Sequence, residues 1–149
     1  MYNPYSLFGK TILVTGASSG IGQATAIECS RMGATLVLTG RNEERLLETY
    51  NSLETEGQVH QIFTADLSSA DGISALVTKL PQLDGCVNNA GIGKTLPIPF
   101  ISWDELDRIY CLNSFAPMLL TKELVRKKKL SNPSSLVFTL SIAGNFNIL

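Results

Sequence analysis

Short runs that are almost wholly apolar or β-branched alternate along the chain with longer segments of helical period, which predicts repeated strand–helix units feeding a parallel sheet. The strand candidates are Thr11-Ile12-Leu13-Val14, Thr35-Leu36-Val37-Leu38-Thr39, Val59 to Thr64, Gly85-Cys86-Val87-Asn88 and Leu136-Val137-Phe138-Thr139-Leu140. Runs with so little polar alternation suit strands covered on both faces. Helical segments lie between them. The first starts at a glycine-rich turn and stops at Gly33, a residue suited to a left-handed C-terminus. The second opens with Asn42 as N-cap and Glu43 and Glu44 in its first turn, turns Leu46, Tyr50 and Leu53 inward, and stops at Gly57. The third spaces Ile73, Leu76, Val77 and Leu80 along one face and meets Pro81. The fourth begins near Ser102 and carries Leu106, Ile109, Tyr110, Leu120 and Leu124. The pattern predicts an α/β fold, a doubly wound parallel sheet with helices on both faces, as a single domain over residues 1–149.

Composition narrows the partners. With 44% hydrophobic and 17% charged residues the chain is far from the signature of disorder. A net charge of −1 gives no electrostatic footprint for nucleic acid or an anionic membrane. The one basic run, Arg126-Lys127-Lys128-Lys129, falls at a predicted helix end, where solvated cations complement the helix dipole. Cys29, Cys86 and Cys111 fit neither a disulfide framework nor a zinc site and read as reduced core residues. His60, the only histidine, has no ligands spaced around it, so no metal is expected. The N-terminus lacks the basic start and apolar centre of a signal peptide, and no run reaches membrane-spanning length, which makes the cytoplasm the expected location.

Between the first strand and the first helix lies Thr15-Gly16-Ala17-Ser18-Ser19-Gly20-Ile21-Gly22. A sharp strand-to-helix turn needs residues without a side-chain penalty, and a phosphate needs bare backbone N–H groups at a helix start. Gly16, Gly20 and Gly22 meet both needs, in the βαβ setting that a dinucleotide-binding turn requires. Their spacing, Gly-x-x-x-Gly-x-Gly, is one residue longer between the first pair than G-x-G-x-x-G. At the end of the second strand an acid favours NAD, whereas a nearby Arg accommodates the 2′-phosphate of NADP. Gly40 stands where an acid would and Arg41 follows, which predicts NADP, with NAD as the alternative. The other reading of Arg41 is a surface cation beside Glu44 or Glu48.

The glycine turn together with Asn88-Asn89-Ala90-Gly91 resembles the short-chain dehydrogenase/reductase family, and the resemblance extends over nearly the whole chain. It implies a Rossmann-like fold whose C-terminal strands and helices are missing here, and hydride transfer between a nicotinamide and a small-molecule carbonyl or alcohol. It further implies that Ser18, Ser19 and Ile21 join the three glycines at the cofactor, that Asp66-Leu67 contacts adenine, and that Asn89-Ala90-Gly91 passes close to the cofactor ribose. Asn88 would tie strands together through its side chain. Local capping of the third helix is the alternative for Asp66. Gly93-Lys94-Thr95 imitates the end of a P-loop, but the motif's first glycine would fall on Asn88, and Pro97 and Pro99 prevent the helix that must follow.

In the family a tyrosine exchanges the substrate proton, a lysine lowers that tyrosine's pKa, a serine hydrogen-bonds the substrate oxygen, and an asparagine carbonyl positions a relay water. By the resemblance, Ser141 in Ser141-Ile142-Ala143-Gly144 matches the serine and Asn113 the asparagine. Pro117 supports the second match independently: an α-helical N–H bonds the carbonyl four residues back, so a residue without N–H leaves the Asn113 carbonyl without its usual partner. No Tyr-x-x-x-Lys occurs, because the positions four after Tyr2, Tyr5, Tyr50 and Tyr110 hold Ser6, Gly9, Glu54 and Ser114. The expectation is a chain that holds the cofactor without completing the chemistry, as the truncated N-terminal part of an oxidoreductase or, alternatively, as a non-catalytic NADP-binding module or regulatory subunit. An apolar edge at the fifth strand, or the fourth helix, would then pair copies into a homo-oligomer.

Overall fold

A computed structural model describes residues 3–94 and 96–141. The elements run β1 (Thr11–Thr15), α1 (Gly20–Arg31), β2 (Thr35–Gly40), α2 (Glu43–Asn51), β3 (Gln61–Thr64), α3 (Ala70–Lys79), β4 (Leu83–Asn88), a 3₁₀ turn (Ile98–Phe100), α4 (Trp103–Tyr110), a π turn (Cys111–Phe115), α5 (Ala116–Arg126) and β5 (Leu130–Phe138). The strands form one sheet in the order β3-β2-β1-β4-β5, every pair parallel. Side chains alternate along each strand, so Ile12, Val14, Leu36 and Leu38 face α1 and α2, while Leu13, Val37, Leu83 and Cys86 face α3 and α5. Each fully buried Leu or Val contributes about 1.5–3 kcal/mol. This is the Rossmann-like layering expected. Because β1 is flanked by β2 on one side and β4 on the other, the crossovers part company there, and the crevice beyond the C-terminal ends of β1 and β4 is where such sheets take ligands.

Several boundaries differ from the sequence reading. The third strand starts at Gln61: Val59 is exposed, and His60 is buried with Nδ1 accepting from the Leu36 N–H at 3.0 Å and Nε2 2.7 Å from the Glu54 carbonyl oxygen, both ring nitrogens being used structurally. The second helix ends at Asn51, its carbonyls closed by the Ser52 N–H, and Gly57 takes its left-handed φ of +88° in the loop beyond. The fifth strand runs from Leu130 to Phe138 rather than 136–140, because β4 advances from Leu83 to Gly85 while β5 advances from Leu130 to Ser135, and the extra residues bulge out of register. Gly33 does adopt a positive φ just past α1, as expected.

The thiols also divide. Cys86 alone is buried, its pKa pushed up to about 12 by burial, whereas Cys29 is half-buried against the core and Cys111 half-buried apart from it. The basic run is engaged rather than merely solvated. Arg126 pairs with Glu123 at 2.6 Å, while Lys127 Nζ bonds Thr78 Oγ1 at 2.7 Å and the Ser74 carbonyl at 3.1 Å. Lys129 Nζ reaches the Leu80 carbonyl, so two cations complement the C-terminal end of α3, a neighbouring helix, instead of their own.

Candidate functional site

The turn between β1 and α1 is built by three glycines with three different duties. Gly16 and Gly20 have φ of +65° and +57°, which a side chain disfavours. A Cβ on Gly16 would also lie 2.8 Å from Ala90 Cα, whereas one on Gly20 would meet nothing within 4 Å. Gly22 has an ordinary backbone, but a Cβ there would run into the Gly16 carbonyl oxygen and lie 2.6 Å from Asn89 Nδ2. Gly16 and Gly22 therefore let the turn, the first helical turn and the segment after β4 close on one another, and Gly20 leaves open space above the helix start.

That helix start differs from those of α2, α3 and α4. Asn42, Ser69 and Ser102 accept from Arg45 N, Gly72 N and Glu105 N and so cap α2, α3 and α4, each of which also carries acid in its first turn. Ser19, the N-cap of α1, makes no side-chain capping bond, and the first turn of α1 holds no acid. The positive dipole end of α1 is thus met by neither a capping side chain nor a first-turn acid.

Thr15 holds the two halves of the rim together, a role the sequence reading gave to Asn88. The Thr15 hydroxyl accepts from Asn89 N at 2.9 Å and Ala90 N at 3.0 Å and donates to the Val87 carbonyl at 3.3 Å, whereas Asn88 Nδ2 is buried with no hydrogen-bond partner among the described residues. A threonine ending a strand one residue before the first glycine was the available signal.

An open cleft of about 580 Å³ lies along this rim. Of the predicted residues it is lined by Gly16, Ser18, Ser19, Arg41, Leu67, Asn89, Ala90 and Gly91, joined by Gly40, Asn42, Arg45 and Leu112. Gly20, Ile21, Gly22, Asp66, Asn113 and Ser141 are not among its walls. Arg45 was missed: a cation in the first turn of a helix reads as solvated, and only the structure sets it on the same cleft as Arg41, which precedes the N-cap Asn42. Asp66 is exposed and bonds locally, its Oδ1 accepting from Ser68 N at 3.0 Å and Ser68 Oγ at 2.7 Å. Those Ser68 hydrogen bonds hold its carboxyl below the usual range, and nearby Arg41 acts in the same direction.

Asn113 sits in the π turn, where its Oδ1 accepts from Ile92 N at 2.8 Å and its Nδ2 donates to the Ile92 carbonyl at 2.7 Å. The side chain thus fastens the loop after β4 to the helical arm. The Ala116 N–H bonds back to Cys111, the wider π spacing that precedes Pro117, so the break is a π turn and not a simple kink. Ser141 follows β5 by three residues; since Phe138 pairs with Asn88, it belongs to the same C-terminal rim. In the motif that resembled a P-loop, Lys94 pairs with Glu105 at 3.1 Å and Thr95 lies outside the described residues, as do Ile142, Ala143 and Gly144. Among the described residues no cluster of His, Cys, Asp or Glu is suited to a metal ion, and no helix is long and apolar enough to cross a membrane.

A family model described as short chain dehydrogenase matches residues 10–148. An uncharacterised oxidoreductase of Escherichia coli is 36% identical over 143 residues, covering 91% of this chain and 57% of its own length. A 3-oxoacyl-[acyl-carrier-protein] reductase of Rickettsia prowazekii is 36% identical over 146 residues, covering 93% of this chain and 58% of its own length. A solved short chain dehydrogenase from Escherichia coli, complexed with NADPH, superposes with a TM-score of 0.84 at 34% identity over 98% of this chain and 64% of its own. The chain spans about half the length of the curated relatives it matches.

Proposed function

The chain belongs to the short-chain dehydrogenase/reductase family, and from that premise we propose that it binds NADP(H) in the cleft along the C-terminal rim, as the cofactor-holding part of an oxidoreductase acting on a carbonyl or alcohol. The observation that carries the NADP reading is the pair Arg41 and Arg45, which line a cleft whose walls include no acidic residue. Two guanidinium groups gain charge-assisted hydrogen bonds from a 2′-phosphate that the bare hydroxyl of NAD cannot offer. Similar structures holding NADP and NADPH agree with it.

The residues present fit the cofactor. The uncapped N–H groups from Ser18 to Ile21 bind its diphosphate, Leu67 backs the adenine with Asp66 adjoining it outside the cleft wall, and Asn89-Ala90-Gly91 borders the ribose. When bound, the nicotinamide supplies the hydride donor or acceptor. On the substrate side the Ser141 hydroxyl donates to the substrate oxygen, and the Asn113 carbonyl, which Pro117 cannot serve, orients a water. These 149 residues contain no Tyr-x-x-x-Lys to move the oxygen-bound proton, so the roles they fill are to hold the cofactor and meet the substrate oxygen. The free thiols suit a reducing compartment, and the cytoplasm is the proposed location.

Titration of the chain with NADP⁺ and NAD⁺ tests the reading. NADP⁺ should bind at least about tenfold more tightly, and Arg41→Ala with Arg45→Ala should abolish that margin. Equal affinities in the unaltered chain would sink it. These 149 residues on their own should show no carbonyl-dependent NADPH oxidation, and robust turnover lost on Ser141→Ala would show that they suffice for the chemistry.

A further inference from the structure

Thr49 is wholly buried in α2, on the face that packs Leu46 and Leu53 into the core. An apolar side chain would serve that packing, and a threonine gains nothing in helix propensity. Its hydroxyl is fully committed instead. Oγ1 lies 2.9 Å from the Ala17 carbonyl oxygen and 3.1 Å from that of Arg45, and accepts from Gln23 Nε2 at 3.0 Å. With one proton to give, the hydroxyl donates best to Ala17; the bond back to Arg45 alone would be the ordinary arrangement for a helical threonine.

Each partner belongs to a different segment beside the cleft, and only Arg45 lines it directly. Ala17 stands in the glycine turn between Gly16 and Ser18, both of which line the cleft, and its N–H bonds the Thr39 carbonyl of β2. Gln23 belongs to the first turn of α1, and no other side-chain hydrogen bond joins α1 to α2 among the described residues. Arg45 lies one helical turn before Thr49 and reaches the cleft wall. In NADP the distance between diphosphate and 2′-phosphate is limited by the covalent structure. A protein that selects NADP must therefore hold its diphosphate-binding turn and its guanidinium-bearing helix in register.

We propose that Thr49, bridged to Gln23 and Ala17, is the positioning residue that keeps α2 in register with the glycine turn, so that Arg41 and Arg45 meet the 2′-phosphate of NADP. This role rests on the NADP reading above. Thr49 touches no cofactor and acts through the placement of the two arginines.

The test is the ratio of NAD⁺ to NADP⁺ dissociation constants for the full chain, measured by titration alongside thermal unfolding. Thr49→Val should cut the ratio by roughly fivefold through weaker NADP⁺ binding, with NAD⁺ little changed, and Thr49→Ser should restore it. Gln23→Met removes only the donor and should lower the ratio by a smaller factor, which keeps the question open to measurement if Thr49→Val fails to fold. A folded Thr49→Val with the original ratio overturns the proposal, as does Gln23→Met with the original ratio when Thr49→Val does not fold. A merely structural Thr49 would lower the melting temperature and weaken both dinucleotides equally, which also overturns it. Equal affinities in the unaltered chain would strike down the NADP reading itself, and this role with it.

Discussion

Leu36-Val37-Leu38 in β2 and Leu136-Val137-Phe138 in β5 are equally apolar, yet they end in different surroundings. The first three are completely buried between α1 and α2 on one face and α3 on the other. In β5, Val137 and Phe138 remain 52% and 43% exposed, and α4 nearby in the chain buries none of its residues. On the α1 side of β5 an apolar groove of about 380 Å³ stays open between Leu7, Ile12, Val87 and Val137. An apolar run announces that a strand requires cover without supplying it; cover comes from elements elsewhere in the chain or outside it. Among the described residues the glycine-turn region is closed by its own neighbours, and the β5 region is not.

The sharpest way to break that comparison is to substitute on the closed side. Gly22→Val drives a side chain into the Gly16 carbonyl and Asn89, and should cost about 3 kcal/mol or more in urea unfolding while abolishing NADP⁺ binding. Unchanged unfolding would mean that the close approach is not required. Val137→Thr, on the open side, should change stability by less than about 1 kcal/mol.

A smaller effect is expected from the open side acting between molecules. The chain should self-associate through the β5 edge or α4, and Phe138→Lys should weaken that several-fold in light scattering by placing a charge where a second strand would pair. A clean monomer at high concentration would show that the edge does not pair. Pro133 already offers no N–H in the first half of β5, so the remaining hazard lies in its last residues.

The smallest effect lies on the cleft rim. Because hydrogen bonds from Ser68 depress the Asp66 pKa on folding, its contribution is fully present above the unfolded carboxylate range and is lost as pH falls through the lower folded value. Asp66→Asn should therefore flatten the acid limb of a stability-against-pH curve below about pH 4, with little change at neutral pH. An unaltered acid limb would mean that Asp66 does not report on folding.

Strands β1 and β2 were legible almost to the residue because continuous β-branched runs admit few alternatives. The first half of β5 was not, since Ser131-Asn132-Pro133-Ser134 reads as a loop, and only the pairing of Leu130 and Ser135 with β4 on either side carries the strand through it. Pro117 signalled a disturbance in the fourth helix but not its form, because a π turn depends on which carbonyl the next N–H finds. At the site, the glycines and Arg41 were visible as motif; the Asn113 grip on Ile92 joins residues whose backbones meet only in three dimensions. Arg45 was hidden by chemistry rather than distance, since a helical cation has the same sequence signature whether it faces water or a phosphate.

The bare start of α1 ties the fold's persistence to its surroundings. A helix end that no side chain satisfies is completed by whatever anion occupies it, and a ligand that binds only the folded chain adds stability in proportion to the logarithm of its free concentration, about 2.7 kcal/mol at a hundred times its dissociation constant. If the proposed dinucleotide is that ligand, the chain's resistance to unfolding should rise with the free dinucleotide concentration.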